Sequence, residues 1–144
     1  MAELDQANDL FLIKKIDDAI KKYAQILEND PGNLIVLNNM GYALTKLKKF
    51  DAALECYDKS LKIEPNDRIV LVNKISLFRK TGKINDAIEL CDKLLEKNPD
   101  ELIVLYHKLR LLKKLSMFEK SNEICNKILS IYPSNTEVRN ELIK

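Results

Sequence analysis

The chain has 144 residues, of which 24 are basic and 22 acidic, for a formal net charge of +2. Its 46% hydrophobic and 32% charged residues are the balance of a folded chain rather than a disordered one. Near-neutrality argues against bulk electrostatic binding of nucleic acid while leaving local patches open. Three glycines and four prolines are few for an all-β chain, and one histidine leaves little for histidine-based catalysis or zinc.

From the start of the chain, the apolar run Leu10–Ile13 is preceded by acidic residues and broken at once by Lys14 and Lys15. It does not read as a signal peptide, and no stretch approaches the ~18 apolar residues of a membrane span. Cys56, Cys91 and Cys125 are odd in number and form no CxxC or Cys/His cluster. They read as small apolar residues on buried helix faces, in a reducing, cytoplasmic setting, with neither disulfides nor a metal site expected.

The prolines stand at 31, 65, 99 and 133, three identical steps of 34 residues. Aligning on them brings Leu37, Leu71 and Leu105 into one column and Ala19, Ala53, Ala87 and Ser121 into another. Tyr23, Tyr57, Cys91 and Cys125 follow four residues after the small column, and Leu27, Leu61, Leu95 and Leu129 four after that. Spacings of four put these columns on one helical stripe. A period of this length signals stacked units, each too small to bury its own apolar face.

The first repeat spans 2–33. The second, 34–67, has Leu37, Met40, Gly41 and Leu44 marking a helix A over about 34–46, and Ala53, Tyr57, Ser60 and Leu61 marking a helix B over about 51–63. Asp17, Asp51 and Asn85 stand where helix B should start and are the expected N-caps. In the third repeat, 68–101, Gly82 falls in the A–B turn and suits a left-handed cap. The fourth is 102–135, and each proline ends a helix B. Val138, Leu142 and Ile143 then suggest a short capping helix within 136–144.

This pattern resembles the tetratricopeptide repeat, a 34-residue helix–turn–helix unit. In the second repeat Leu37, Met40, Gly41 and Leu44 occupy that family's Trp, Leu, Gly and Tyr columns. Ala53, Tyr57, Ser60 and Pro65 occupy its Ala, aromatic, Ala and Pro columns. The resemblance implies an all-α chain: a single domain over 1–144 forming a right-handed superhelical solenoid of antiparallel helix pairs, with about four repeats and the short cap. Two departures carry expectations. Ile75 and Leu109 replace the small residue of helix A and should push A and B apart, partly offset by Cys91 and Cys125 in place of the aromatic. Lys74 and Lys108 enter an apolar column, so their stems should lie along the helix pair with the ammonium groups in water.

The resemblance also implies a concave groove lined by the A helices. Carried over column by column, its lining is Ile35, Asn38, Asn39, Tyr42 and Lys46, then Ile69, Asn73, Arg79 and Lys80, then Ile103, Tyr106, His107, Arg110, Lys113 and Lys114. The first repeat adds Leu4, Asp5, Asn8, Phe11 and Leu12. Ile35, Ile69 and Ile103 make an apolar row, while Asn39 and Asn73 share a column continued by His107. An amide both donates and accepts, so these asparagines could hold a peptide backbone. The carboxylate clamp by which some family members hold chaperone tails is not expected, because its cationic columns read Leu4, Ile69 and Asn73 from the first repeat and Asn38, Ile103 and His107 from the second.

Charge rises along the chain: net −3 over 1–33, 0 over 34–67, +1 over 68–101, +4 over 102–135 and 0 over 136–144. The reading is a protein-interaction module that takes an extended or helical segment, acidic in character, of another protein. The alternative is self-association of an acidic end with a basic one into a scaffold. The third is RNA on the basic fourth repeat, where only Tyr106 and His107 could stack. No paired-carboxylate constellation, glycine-rich phosphate loop or Ser/His/Asp set is apparent, and Cys125, in one repeat with His107, lies on the buried stripe. The chain therefore reads as a non-enzyme with no cofactor, no metal and no membrane.

Overall fold

A computed structural model describes residues 2–142. It contains nine α-helices and no strand among the described residues: α1 (Ala2–Leu12), α2 (Ile16–Asn29), α3 (Leu34–Lys46), α4 (Phe50–Ile63), α5 (Arg68–Lys80), α6 (Ile84–Lys97), α7 (Leu102–Lys114), α8 (Phe118–Ile131) and α9 (Thr136–Glu141). The expected all-α architecture is present, with odd-numbered helices up to α7 as A and even-numbered ones as B. The chain divides into two compact units, Met1–Leu77 and Phe78–Lys144.

Every A helix up to α7 stops in the same way. Lys14, Lys48, Gly82 and Ser116, again 34 residues apart, all have positive φ, between 56° and 78°. The amide of each bonds back three residues and that of the next residue bonds back five, as in Lys48 to Thr45 and Lys49 to Leu44. This is the Schellman stop, which satisfies the last carbonyls of a helix. Gly82 fills the position without steric cost, and the other three hold a side chain in the left-handed region.

The expected B-helix caps are corrected. Helices α2, α4 and α6 begin one residue earlier, after Lys15, Lys49 and Lys83, none of which makes a side-chain cap. Asp17, Asp51 and Asn85 thus sit inside the first turn, where the two aspartates complement the positive end of the helix. True side-chain caps stand before α3, α5 and α9. Asn33 accepts from Val36 N, Asp67 from Ile69 N and Val70 N, and Asn135 from Val138 N. Each lies two residues after a proline, in turns closed by bonds such as Asn33 N to Asp30 O at 3.2 Å.

In the N-terminal unit, Ala7, Ala19, Tyr23, Val36 and Ala43 form one buried cluster. Leu44, Ala53, Cys56, Tyr57, Val70 and Leu77 form the next, and Ile20 and Met40 pack against both. The small-then-aromatic stripe read from the sequence therefore supplies the core. Gly41 is what admits Tyr57: a Cβ on it would lie 2.6 Å from the ring. The C-terminal unit solves the same packing differently, with Leu109 and Cys125 in one cluster beside Leu105, Ile128 and Val138. A large residue on helix A is balanced there by a small one on helix B.

The Lys74 and Lys108 side chains stay 19% and 23% exposed, and each ammonium meets a carboxylate 16 residues earlier, Asp58 and Asp92, at 2.7 Å in both cases. The terminal helix closes at Glu141, and Leu142 is extended. Val138 is fully buried, whereas Ile143 lies outside the described residues.

Candidate functional site

In the N-terminal unit, α1, α3 and α5 bring Asn8, Asn38, Asn39 and Asn73 to an open depression of about 230 Å³, shared with Phe11, Leu12, Tyr23 and Tyr42. The asparagines are linked to one another. Asn39 Nδ2 donates to Asn8 Oδ1 at 3.2 Å, and the Tyr23 hydroxyl donates to the same oxygen at 2.7 Å. Asn73 Nδ2 donates to Asn38 Oδ1 at 2.8 Å. Asn39 and Asn73 are thus partly engaged within the chain, a refinement of the sequence reading. An amide offers two donors and two lone pairs, so each bond leaves capacity over while fixing the side chain.

One wall of this depression is aromatic. The rings of Phe11 and Tyr42 lie 5.7 Å apart, tilted by 52°, and Lys46 Nζ stands 5.1 Å from the Tyr42 centroid. This geometry suits edge-to-face and cation–π contact. Tyr42 remains 41% exposed and Leu12 74%. Ile35 and Ile69 are exposed on the same unit, as is Ile103 on the other. Stable packing does not require an isoleucine in water at this column of three repeats.

In the C-terminal unit, Ile103, Tyr106, His107, Arg110 and Glu137 line a depression of about 280 Å³. Arg79, Lys80, Arg110, Lys113 and Lys114 line a second, of about 530 Å³. Two of these side chains are already engaged: Lys113 forms an ion pair with Glu141 of α9, and the Tyr106 hydroxyl accepts from Asn135 Nδ2. Burial, followed by the charges of Arg79 and Arg110, lowers the His107 pKa below its ordinary value. All three cysteines are free and buried, and burial pushes Cys91 up to about 12. No group of His, Cys, Asp and Glu able to hold a metal occurs among the described residues. No described helix is long and apolar enough to cross a membrane.

The sequence reading placed Asn8, Phe11 and Leu12 on the inward side of helix A without weight. The pocket makes them central, along with Tyr23, which sequence had assigned to the core alone. The usable signal was the pairing of Asn8 in A with a phenol in B of one repeat. Glu137 carried no such signal, because it reaches its pocket from the terminal helix.

The family model for the tetratricopeptide repeat matches residues 35–67. A solved tetratricopeptide repeat protein from Parabacteroides merdae aligns with 96% of the chain at a TM-score of 0.87 and 21% identity. Residues 35–67 match one tetratricopeptide repeat, and the chain as a whole shares the fold of such proteins. It spans 55% of the length of that Parabacteroides protein. MamA from Desulfovibrio magneticus aligns over 98% of this chain and 80% of its own, with a TM-score of 0.85 and 18% identity. The first TPR of Spaghetti bound to the HSP90 peptide SRMEEVD aligns over 80% of this chain and 91% of its own, with a TM-score of 0.73 and 20% identity. No curated protein matches the chain significantly. Gly41 and the buried ring of Tyr57 against it both lie within the matched residues.

Proposed function

We propose that the chain is a protein-interaction module that holds a segment of another protein on the faces of its A helices. The observation that carries this reading is the N-terminal pocket, where cross-linked asparagines lie beside the exposed Phe11–Tyr42–Lys46 wall. The rings and Ile35 and Ile69 supply apolar area, which favours binding without direction. The amide groups left over after the internal bonds match the donors and acceptors of a peptide backbone. Because those amides are pre-fixed, less side-chain freedom is lost on binding.

Choice among segments comes from charge. Arg79, Lys80 and Arg110 on the C-terminal unit favour acidic residues. The acidic peptide on the Spaghetti TPR supports a protein ligand of this kind, on a fold of the same type. The three free thiols suit a reducing compartment, where we place the module. The test is selection of a displayed library of random linear peptides on the intact chain. Enrichment of sequences whose affinity falls in the Asn39→Ala/Asn73→Ala variant is expected. Enriched peptides indifferent to that variant, or no enrichment, would overturn the reading.

A further inference from the structure

His107 is the sole histidine of the chain, and its surroundings are unusual for an imidazole. Its Nδ1 is buried and has no hydrogen-bond partner among the described residues; the same holds for Nε of Arg79. A buried polar atom left unmatched marks a site where a partner is wanted. Arg110 lines both the His107 depression and the neighbouring cation-walled one, and so joins them into one basic surface.

Arg79 at the end of α5 and Arg110 on α7 act on the imidazole as cations. From α9, Glu137 lines the same depression, while Glu141 is taken up by Lys113. From α6, Asp92 is taken up by Lys108 of α7. From α8, Cys125 packs in one cluster with Leu105 and Leu109 of α7, and burial raises the pKa of its thiol. Burial first, and then the two guanidiniums, lower the pKa of the imidazole below its ordinary value.

We propose that Arg79, His107 and Arg110 form an anion site for the carboxylates of an acidic protein segment, and that seating those carboxylates draws a proton from solvent onto His107. The proposal rests on the protein-interaction reading above and names what the C-terminal unit recognises. A carboxylate beside Arg79 pairs with its guanidinium at the lining of the depression. It also offsets the repulsion that, together with burial, keeps the ring uncharged, and so favours the imidazolium. Linkage is reciprocal: a ligand that raises the proton affinity of His107 is itself bound more tightly when the ring is protonated. Affinity therefore rises as pH falls from about 8 toward 6, while glutamate carboxylates, with pKa about 4.3, stay ionised. Each unit by which the ligand raises the imidazole pKa corresponds to at most about tenfold in affinity between the two ends of that window.

The probe is fluorescein-labelled hexaglutamate, followed by anisotropy on the intact chain. Wild type should tighten about threefold or more between pH 8 and 6, and His107→Gln should lose that dependence. The lone imidazole resonance, assigned without ambiguity, should titrate at higher pH when hexaglutamate is saturating. Arg79→Gln and Arg110→Gln should each weaken binding. An imidazole titration unmoved by saturating hexaglutamate, or equal pH slopes in wild type and His107→Gln, overturns the proton coupling. Hexaglutamate that fails to bind wild type, or binds Arg110→Gln as well, overturns the anion site. Tighter binding of a single-stranded RNA of equal charge overturns the choice of protein as partner. Display-selected peptides that depend on Asn39 and Asn73 leave the interaction reading standing in any of these cases.

Discussion

Gly41 and Tyr57 occupy one space: a Cβ on the glycine would lie 2.6 Å from the buried ring. Gly41→Ala should therefore destabilise the chain by about 1–2 kcal/mol, overpacking outweighing the better helix propensity of alanine. Tyr57→Cys alone should cost about 3 kcal/mol or more. Leu109 beside Cys125 shows the opposite division of volume working elsewhere in the chain. Gly41→Leu with Tyr57→Cys should accordingly be more stable than the sum of its single changes. Urea unfolding in a double-mutant cycle measures this, and additive costs would contradict it.

The left-handed stops give a second prediction. Lys48 and Ser116 hold φ of 60° and 56°, and Gly82 holds 78° with open space, 4 Å clear of any atom, where a Cβ would project. Lys48→Gly and Ser116→Gly should each stabilise by about 0.5–1 kcal/mol, and Gly82→Ala should cost about 1 kcal/mol. Thermal melts of the three variants decide the matter by sign.

The third concerns Lys74 and Asp58. The lysine side chain is largely buried and its ammonium is met at 2.7 Å. Asp58→Ala leaves that charge without its carboxylate and should cost about 1–3 kcal/mol. Lys74→Met keeps the packing while removing the charge, and should be close to neutral. Equal losses in the two variants would show that the pair acts through Coulomb attraction instead.

Acid stability is the fourth. The folded pKa of His107 lies below its ordinary value of 6.5, so the unfolded chain takes up the proton first. Its contribution is present above about pH 6.5 and is lost as pH falls toward the folded pKa. His107→Gln should flatten the fall in melting temperature across that window relative to wild type. Parallel curves for the two proteins would remove His107 as a source of acid sensitivity.

Much of the architecture was legible because a 34-residue period repeats every constraint at once. A helix over Leu34–Lys46 follows from one stripe and one proline, and its neighbours follow from it. The B-helix starts were misread because an aspartate in the first turn and an aspartate at the cap look alike in sequence. The Schellman geometry at Lys14 and Lys48 moves the boundary by one residue, and lysine gives no sign of a left-handed φ. Asn33, Asp67 and Asn135 were readable as caps, two residues after proline, but the turn chemistry there was overlooked. At the site, residue types and columns were visible. The Asn39–Asn8, Asn73–Asn38 and Lys113–Glu141 pairings were not, because they join positions 28–35 residues apart whose partners depend on how helices lean together.

Helices α4, α6 and α8 each carry one free, buried thiol, at Cys56, Cys91 and Cys125. Burial raises the pKa of all three, so a thiolate-selective reagent meets an inert sulfur until the helix around it opens. The chain is thereby fitted with its own clocks, one in each of three successive repeats. A short pulse of alkylating agent during refolding or mild denaturation, read by peptide mass, gives the order in which those repeats close or come apart. No residue need be replaced to do it.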